Sequence, residues 1–128
     1  MNPIVNQKHP LKKMNRQDLI CSVSELMAKD LELLKKKNMD YSPGEDALTN
    51  FRDFGAPGVI TRIGDKYHRA KTWAQRGNLA VADEKIGDTM TDICVYGYIT
   101  RVILRHCENM PKEAYNYEEI SHGRPERE

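Results

Sequence analysis

Three carboxylates, Glu84, Asp88 and Asp92, follow one another at four-residue steps, a spacing that stacks them along one stripe of a helix. Like charges at that spacing repel, so the row requires basic side chains or a cation opposite it. The stripe continues as Val95, Ile99 and Val102, an apolar face, which would turn the acids inward or toward the mouth of a cleft. Upstream, Arg62, Asp65 and Arg69 share a second face with Lys66 on its flank, polar and mostly basic. Two kinds of chemistry use these residues. In one the two faces neutralise each other across a helix contact. In the other Arg62, Lys66 and Arg69 hold phosphate oxygens, Glu84 and Asp88 are protein ligands to Mg²⁺, and Asp65 or Asp92 joins them or orients water.

Further residues suit the organic part of such a ligand. Lys37, Asp40 and Tyr41 close a helical segment, and Asn50, Phe51 and Phe54 follow in a loop. Aromatic rings beside amide side chains can stack on a base and read its edge. The plainer role for Phe51 and Phe54 is to pin the loop to the core. Trp73 falls between the apolar and polar faces of its helix, and His68, His106 and His122 share no spacing, so all four are expected to be packing, surface or rim residues.

The elements that must position these groups are helical. From Gln17 the residues Leu19, Ile20, Val23, Leu26, Met27, Leu31 and Leu34 recur at helical steps, and Asn15 with Asp18 forms a plausible N-terminal cap, giving a first helix that ends near Asn38. Residues 41–56 contain Pro43, Gly44 and Gly55 without period and are expected to be a long loop. The second helix should begin at Pro57 and stop near Gly77, with Ile60, Ile63, Tyr67, Ala70 and Ala74 as its core stripe. The third should run from about Asp83 to about Glu108, before Pro111. Residues 1–14 are expected to form an extended arm, residues 15–110 the helical domain, and residues 111–128 a polar tail with weak helical potential over 113–120. Three long helices plus this short fourth give an all-α bundle with antiparallel neighbours, and pairing with another copy would complete a four-helix core, so a homodimer is expected.

The totals agree. The 128 residues fit one domain, and 20 Lys and Arg against 19 Asp and Glu provide no overall field for DNA, RNA or an anionic membrane. No apolar run approaches a membrane span and the first residues have no signal-peptide core, so the expected location is the cytoplasm. Cys21, Cys94 and Cys107 are an odd number without CxxC spacing and are expected to be small core residues in a reducing compartment.

Taken in order, Lys37-Asn38-Met39-Asp40-Tyr41, Asn50-Phe51, Gly58-Val59 with Arg62-Ile63-Gly64-Asp65-Lys66 and Arg69, then Asp83-Glu84 with Asp88, Asp92 and Tyr96, the chain resembles the nucleotide modification associated domain family, first type, of phage-related small proteins. The resemblance spans about residues 26–104. It implies an all-helical domain tied to phage nucleotide metabolism or base modification, with Tyr96 joining the ligand-binding set. More distantly the chain is similar to MazG-like nucleotide pyrophosphohydrolases, in which acidic motifs on neighbouring helices bind Mg²⁺ around a triphosphate. Glu84 with Asp88 looks like the second of those motifs; where the first has paired glutamates, Asp65 stands alone, and Ser42 replaces the nucleotide-modification family's usual glycine after Asp-Tyr.

Three functions follow as expectations: a Mg²⁺-dependent hydrolase releasing monophosphate and pyrophosphate from a nucleoside triphosphate, a nucleotide-binding or nucleotide-sequestering protein without turnover, and a helical interaction module whose charged row is a contact.

Overall fold

The computed structural model describes residues 11–77 and 85–107. Among them the chain is all-helical, with three long helices: α1 (Arg16–Tyr41), α2 (Gly55–Arg76) and α3 (Ile86–His106), and a single 3-10 turn, Thr49–Phe51, inside the loop that joins α1 to α2. The expected fourth helix over 113–120, the N-terminal arm up to residue 10, Asp83, Glu84 and the tail beyond residue 107 lie outside the described residues. No described helix is long and apolar enough to cross a membrane.

The helix ends follow from local chemistry. Asn15, in extended backbone, caps α1 by accepting from the Asp18 amide at 2.8 Å, the pairing its sequence position calls for. α1 runs to Tyr41, three residues beyond the expected end, and closes on Ser42, whose amide donates to the Asn38 carbonyl at 2.8 Å. α2 begins at Gly55 rather than Pro57; the proline occupies the first turn, where its missing N–H is no loss. Its far end is set by Gly77 in left-handed conformation (φ 88°), donating to the Trp73 carbonyl. Near its start, a Cβ on Gly58 would lie 2.4 Å from the Phe54 Cβ, so the entry turn requires glycine there.

α2 and α3 pack chiefly on each other, while α1 touches α3 lightly. Ala56 and Val59, from the start of α2, share one buried cluster with Ile99 and Ile103, from the end of α3, and Lys66 meets Asp92 nearer the middle, so the two helices run antiparallel. The core face of α2 departs from the expected stripe. Ile60 and Tyr67 are exposed, whereas Val59 is buried and Ile63, Lys66 and Ala70 are half-buried. The buried face is therefore turned roughly 40° toward the basic flank. Burying this face carries Lys66 to the edge of the core.

α1 has no buried residue. Leu34 packs against the central cluster, but Leu19, Ile20, Val23, Leu26, Met27 and Leu31, which share its helical period, are exposed. The cysteines correct the sequence expectation too: Cys21, Cys94 and Cys107 are all exposed. Cys94 is next in sequence to the half-buried Val95, but successive helical residues are ~100° apart, and that step takes the thiol off the packed face.

Thr89 is a local exception in the α2–α3 contact. Thr61, Thr91 and Thr100 donate to the carbonyls of Pro57, Gly87 and Tyr96, four residues back, at 2.9, 3.0 and 2.8 Å. Thr89 is 1% exposed, and its Oγ1 has no hydrogen-bond partner among the described residues. Thr89→Val keeps the shape and removes the unpaired hydroxyl, so it should stabilise by about 1 kcal/mol and raise Tm by roughly 4 °C or more in a thermal melt.

Candidate functional site

A cleft of about 500 Å³ opens where the C-terminal part of α1, the following loop, α2 and α3 meet. α1 contributes Lys37, Asn38 and Tyr41 to its lining, the loop Asn50 and Phe51, α2 Arg62 and Lys66, and α3 Asp92 and Tyr96. Leu33, Leu34, Val95 and Ile99 make the apolar part of the wall. The volume lies in the range of small-molecule sites, and the lining joins a hydrophobic floor to a few converging polar groups.

The charged centre is Asp92, whose two oxygens are both engaged. Oδ2 accepts from Lys66 Nζ at 2.9 Å and Oδ1 from Lys37 Nζ at 3.5 Å, which ties all three helices together at one carboxylate. The Lys66 and Asp92 side chains are 24% and 22% exposed, dry enough for the pair to matter, whereas Lys37 is 51% exposed and its contact is longer and weaker. With Arg62 also in the lining, the cleft holds three basic groups and one carboxylate. That excess of positive charge suits an anionic ligand, which could accept from the ammonium groups in the same way as the carboxylate does.

The loop is held in shape by its own polar side chains. Ser42 is 3% exposed; its hydroxyl donates to Asn50 Oδ1 at 2.9 Å and accepts from the Asn50 amide at 3.3 Å. Asn38 Nδ2 donates to the Ala47 carbonyl at 2.8 Å, crossing from α1 to the loop. Ser42 thus positions Asn50 at the cleft wall, a role glycine at that position could not perform. Asp46 closes the turn: it accepts from the Leu48 amide at 3.1 Å, and Arg52 grips its carboxylate with both Nε and a terminal nitrogen.

The Arg52 guanidinium holds the Asp46 carboxyl down at about 2, helped by the Leu48 amide. A lowered pKa in the folded state means that the clamp contributes fully above the ordinary carboxylate value and is lost as pH falls through about 2. In an NMR acid titration the Leu48 amide should therefore shift with a midpoint near 2, and Arg52→Gln should move that midpoint up toward 3.8, the ordinary value.

Of the residues expected at a site, Lys37, Tyr41, Asn50, Phe51, Arg62, Lys66, Asp92 and Tyr96 line this cleft, whereas Asp40, Asp65, Arg69 and Asp88 do not. Asp40, Asp65 and Asp88 are exposed, and Arg69 is half-buried beyond the cleft lining. Phe54 is 72% exposed and separate from Phe51, which packs on the core. The acidic row divides for a geometric reason. Residues four apart are displaced ~40° around a helix, so a four-residue row winds away from any fixed face. Asp92 reaches the packed flank of α3, and Asp88, one step back, faces solvent. Of the row expected to point inward or toward the mouth of a cleft, Asp92 lines the cleft and Asp88 is exposed. Asn38, absent from the expected set, belongs to the cleft; it lies one turn after Leu34 on the face of α1 that meets the core.

Of the carboxylates expected to hold or flank Mg²⁺, the structure describes Asp65, Asp88 and Asp92. Asp88 is exposed, both oxygens of Asp92 are taken by ammonium groups, and no three His, Cys, Asp or Glu side chains gather among the described residues. Glu84 lies outside the described residues.

Comparison of the chain with protein-family models, with curated proteins and with solved structures finds no match in any of the three.

Proposed function

We propose that the cleft binds a phosphorylated nucleotide. The observation that carries this reading is the gathering of Lys37, Arg62 and Lys66 in one cleft lined by a single carboxylate, Asp92, which the two lysines contact, beside the rings of Tyr41, Phe51 and Tyr96 and the amides of Asn38 and Asn50. Phosphate oxygens take hydrogen bonds from the basic groups and displace or share the place of Asp92. The base lies against an aromatic ring, and an amide reads its edge. Arg62 presents the planar fork that suits phosphate, and the lysines act as point charges.

Binding and turnover separate at Asp92. In a binder, Asp92 holds Lys37 and Lys66 in place before the ligand arrives and competes with it afterwards. Asp92→Asn should then tighten nucleotide binding several-fold, since the lysines give up no carboxylate and the ligand meets no repulsion. If Asp92 instead orients water in a pyrophosphohydrolase, the same change should abolish product formation.

The experiment is incubation of the protein with Mg²⁺ and a panel of ribo- and deoxyribonucleoside triphosphates, products being resolved by anion exchange, with retention of nucleotide on the protein measured in parallel. Intact nucleotide retained on the protein supports binding without turnover. Monophosphate plus pyrophosphate, lost in Asp92→Asn, supports the hydrolase, and no retention or turnover of any nucleotide overturns the proposal. A MazG-like bundle, a homodimer, a role in phage nucleotide metabolism and a cytoplasmic location belong to the same reading.

A further inference from the structure

The N-terminal two thirds of α1 carries an apolar face that nothing among the described residues covers. Leu19, Ile20, Val23, Leu26, Met27 and Leu31 are each between 45% and 57% exposed. At roughly 100 Å² apiece they present on the order of 600 Å², close to the ~800 Å² that each partner gives to a standard interface. Two charged residues, Arg16 and Asp30, lie on the same face as these side chains, because 100° steps bring both within its width. The other charges of this stretch, Asp18, Glu25, Lys29 and Glu32, fall on the opposite side.

Between Arg16 and Asp30 the pattern on this face is its own complement, and Leu31 lies beyond it, opposite Asn15. An antiparallel copy of α1 with the two-fold axis at Val23 sets Val23 against Val23, Ile20 against Leu26 and Leu19 against Met27. The same register sets Arg16 against Asp30 at both ends, so the two charges on the apolar face meet opposite charges and no like pair is created. A parallel pairing would set Arg16 against Arg16 and Asp30 against Asp30. From this self-complementarity and the area left bare we infer that a second copy of this chain docks on α1, antiparallel about Val23, with Arg16–Asp30 ion pairs closing both ends.

The inference gives the homodimer of the proposed reading a specific interface, and it does not depend on nucleotide binding, since none of these residues lines the cleft. Sedimentation velocity over a range of concentrations tests it. The wild-type chain should sediment as a species of twice its 14.8 kDa mass. Val23→Asp places two carboxylates face to face at the axis and should yield monomer; Val23 is 45% exposed within one chain, so unchanged circular dichroism should show that the helices persist. Asp30→Arg should weaken the dimer about tenfold or more, through like charges at both ends, and the double change Arg16→Asp, Asp30→Arg should restore it. A wild-type monomer at every concentration, as when another segment or a foreign protein covers the face, overturns the inference. So does a dimer indifferent to Val23→Asp, or one that the double change fails to restore.

Discussion

Lys66→Met should weaken nucleotide binding by roughly 10- to 100-fold while leaving the chain folded. The range follows from losing one hydrogen bond from a charged donor to phosphate, worth about 1.5–3 kcal/mol, at about 1.4 kcal/mol per tenfold. Lys66 is the group to change because it is the less exposed of the two lysines on Asp92 and makes the shorter contact, 2.9 Å against 3.5 Å. Methionine preserves the stem that packs beside the α2–α3 core and removes only the ammonium. The carboxylate left behind retains Lys37 and partial access to water, so the stability loss should stay within about 1 kcal/mol. Calorimetric titration of the variant beside the wild type, with melting curves as the folding control, measures both quantities. Lys37→Met should show the same direction with a smaller effect, because its ammonium is already half in water.

The largest stability effect is expected from Ile103→Ala. The buried hydrophobic cluster among the described residues has four members, Ala56, Val59, Ile99 and Ile103, and Ile103 is 7% exposed within it. Truncation removes buried methylenes and leaves a cavity between two helices that cannot close without moving apart, a change that costs about 2–5 kcal/mol. Against a typical total of ~5–15 kcal/mol for a domain, that is a large fraction, and Tm should fall by roughly 10–20 °C. Ile60→Ala, on the exposed side of α2, should change Tm little, although periodicity alone would place Ile60 in the core. Melting the two variants side by side separates the observed face from the expected one.

Those helix faces show what can be read from residue order. The three helices, their approximate spans and the Asn15 cap follow from local rules, because period, proline placement and a capping amide act within a few residues. The face that each helix buries is decided by its neighbours. On α2, two residues expected inside, Ile60 and Tyr67, lose their place to a face flanked by Lys66, because Lys66 finds Asp92 across the contact. On α1 the apolar period is real, but among the described residues only its C-terminal part, at Leu34, packs on the core.

The candidate site was legible to a similar depth. Residue chemistry brought Lys37, Arg62, Lys66, Asp92, Tyr41 and Phe51 into the expected set, and the resemblance added Tyr96, but the same reasoning also brought in Arg69 and Phe54, which lie outside the cleft lining. It could not separate Asp92 from Asp88, because a four-residue row winds around the helix and only the packed contact fixes where it meets the core. Nor did composition reveal the loop network of Asn38, Ser42, Asp46, Asn50 and Arg52. The one available signal was local: an aspartate two residues before the amide it accepts from, with an arginine six residues on.

The most direct test of the cleft's role is isothermal titration of the wild-type protein with a matched series of nucleoside, mono-, di- and triphosphate, repeated at raised salt. Saturable binding that strengthens with phosphate number and weakens with salt is the expected result, because Lys37, Arg62 and Lys66 supply the grip. Absence of saturable binding across the series, or a nucleoside bound as tightly as its triphosphate, would contradict it.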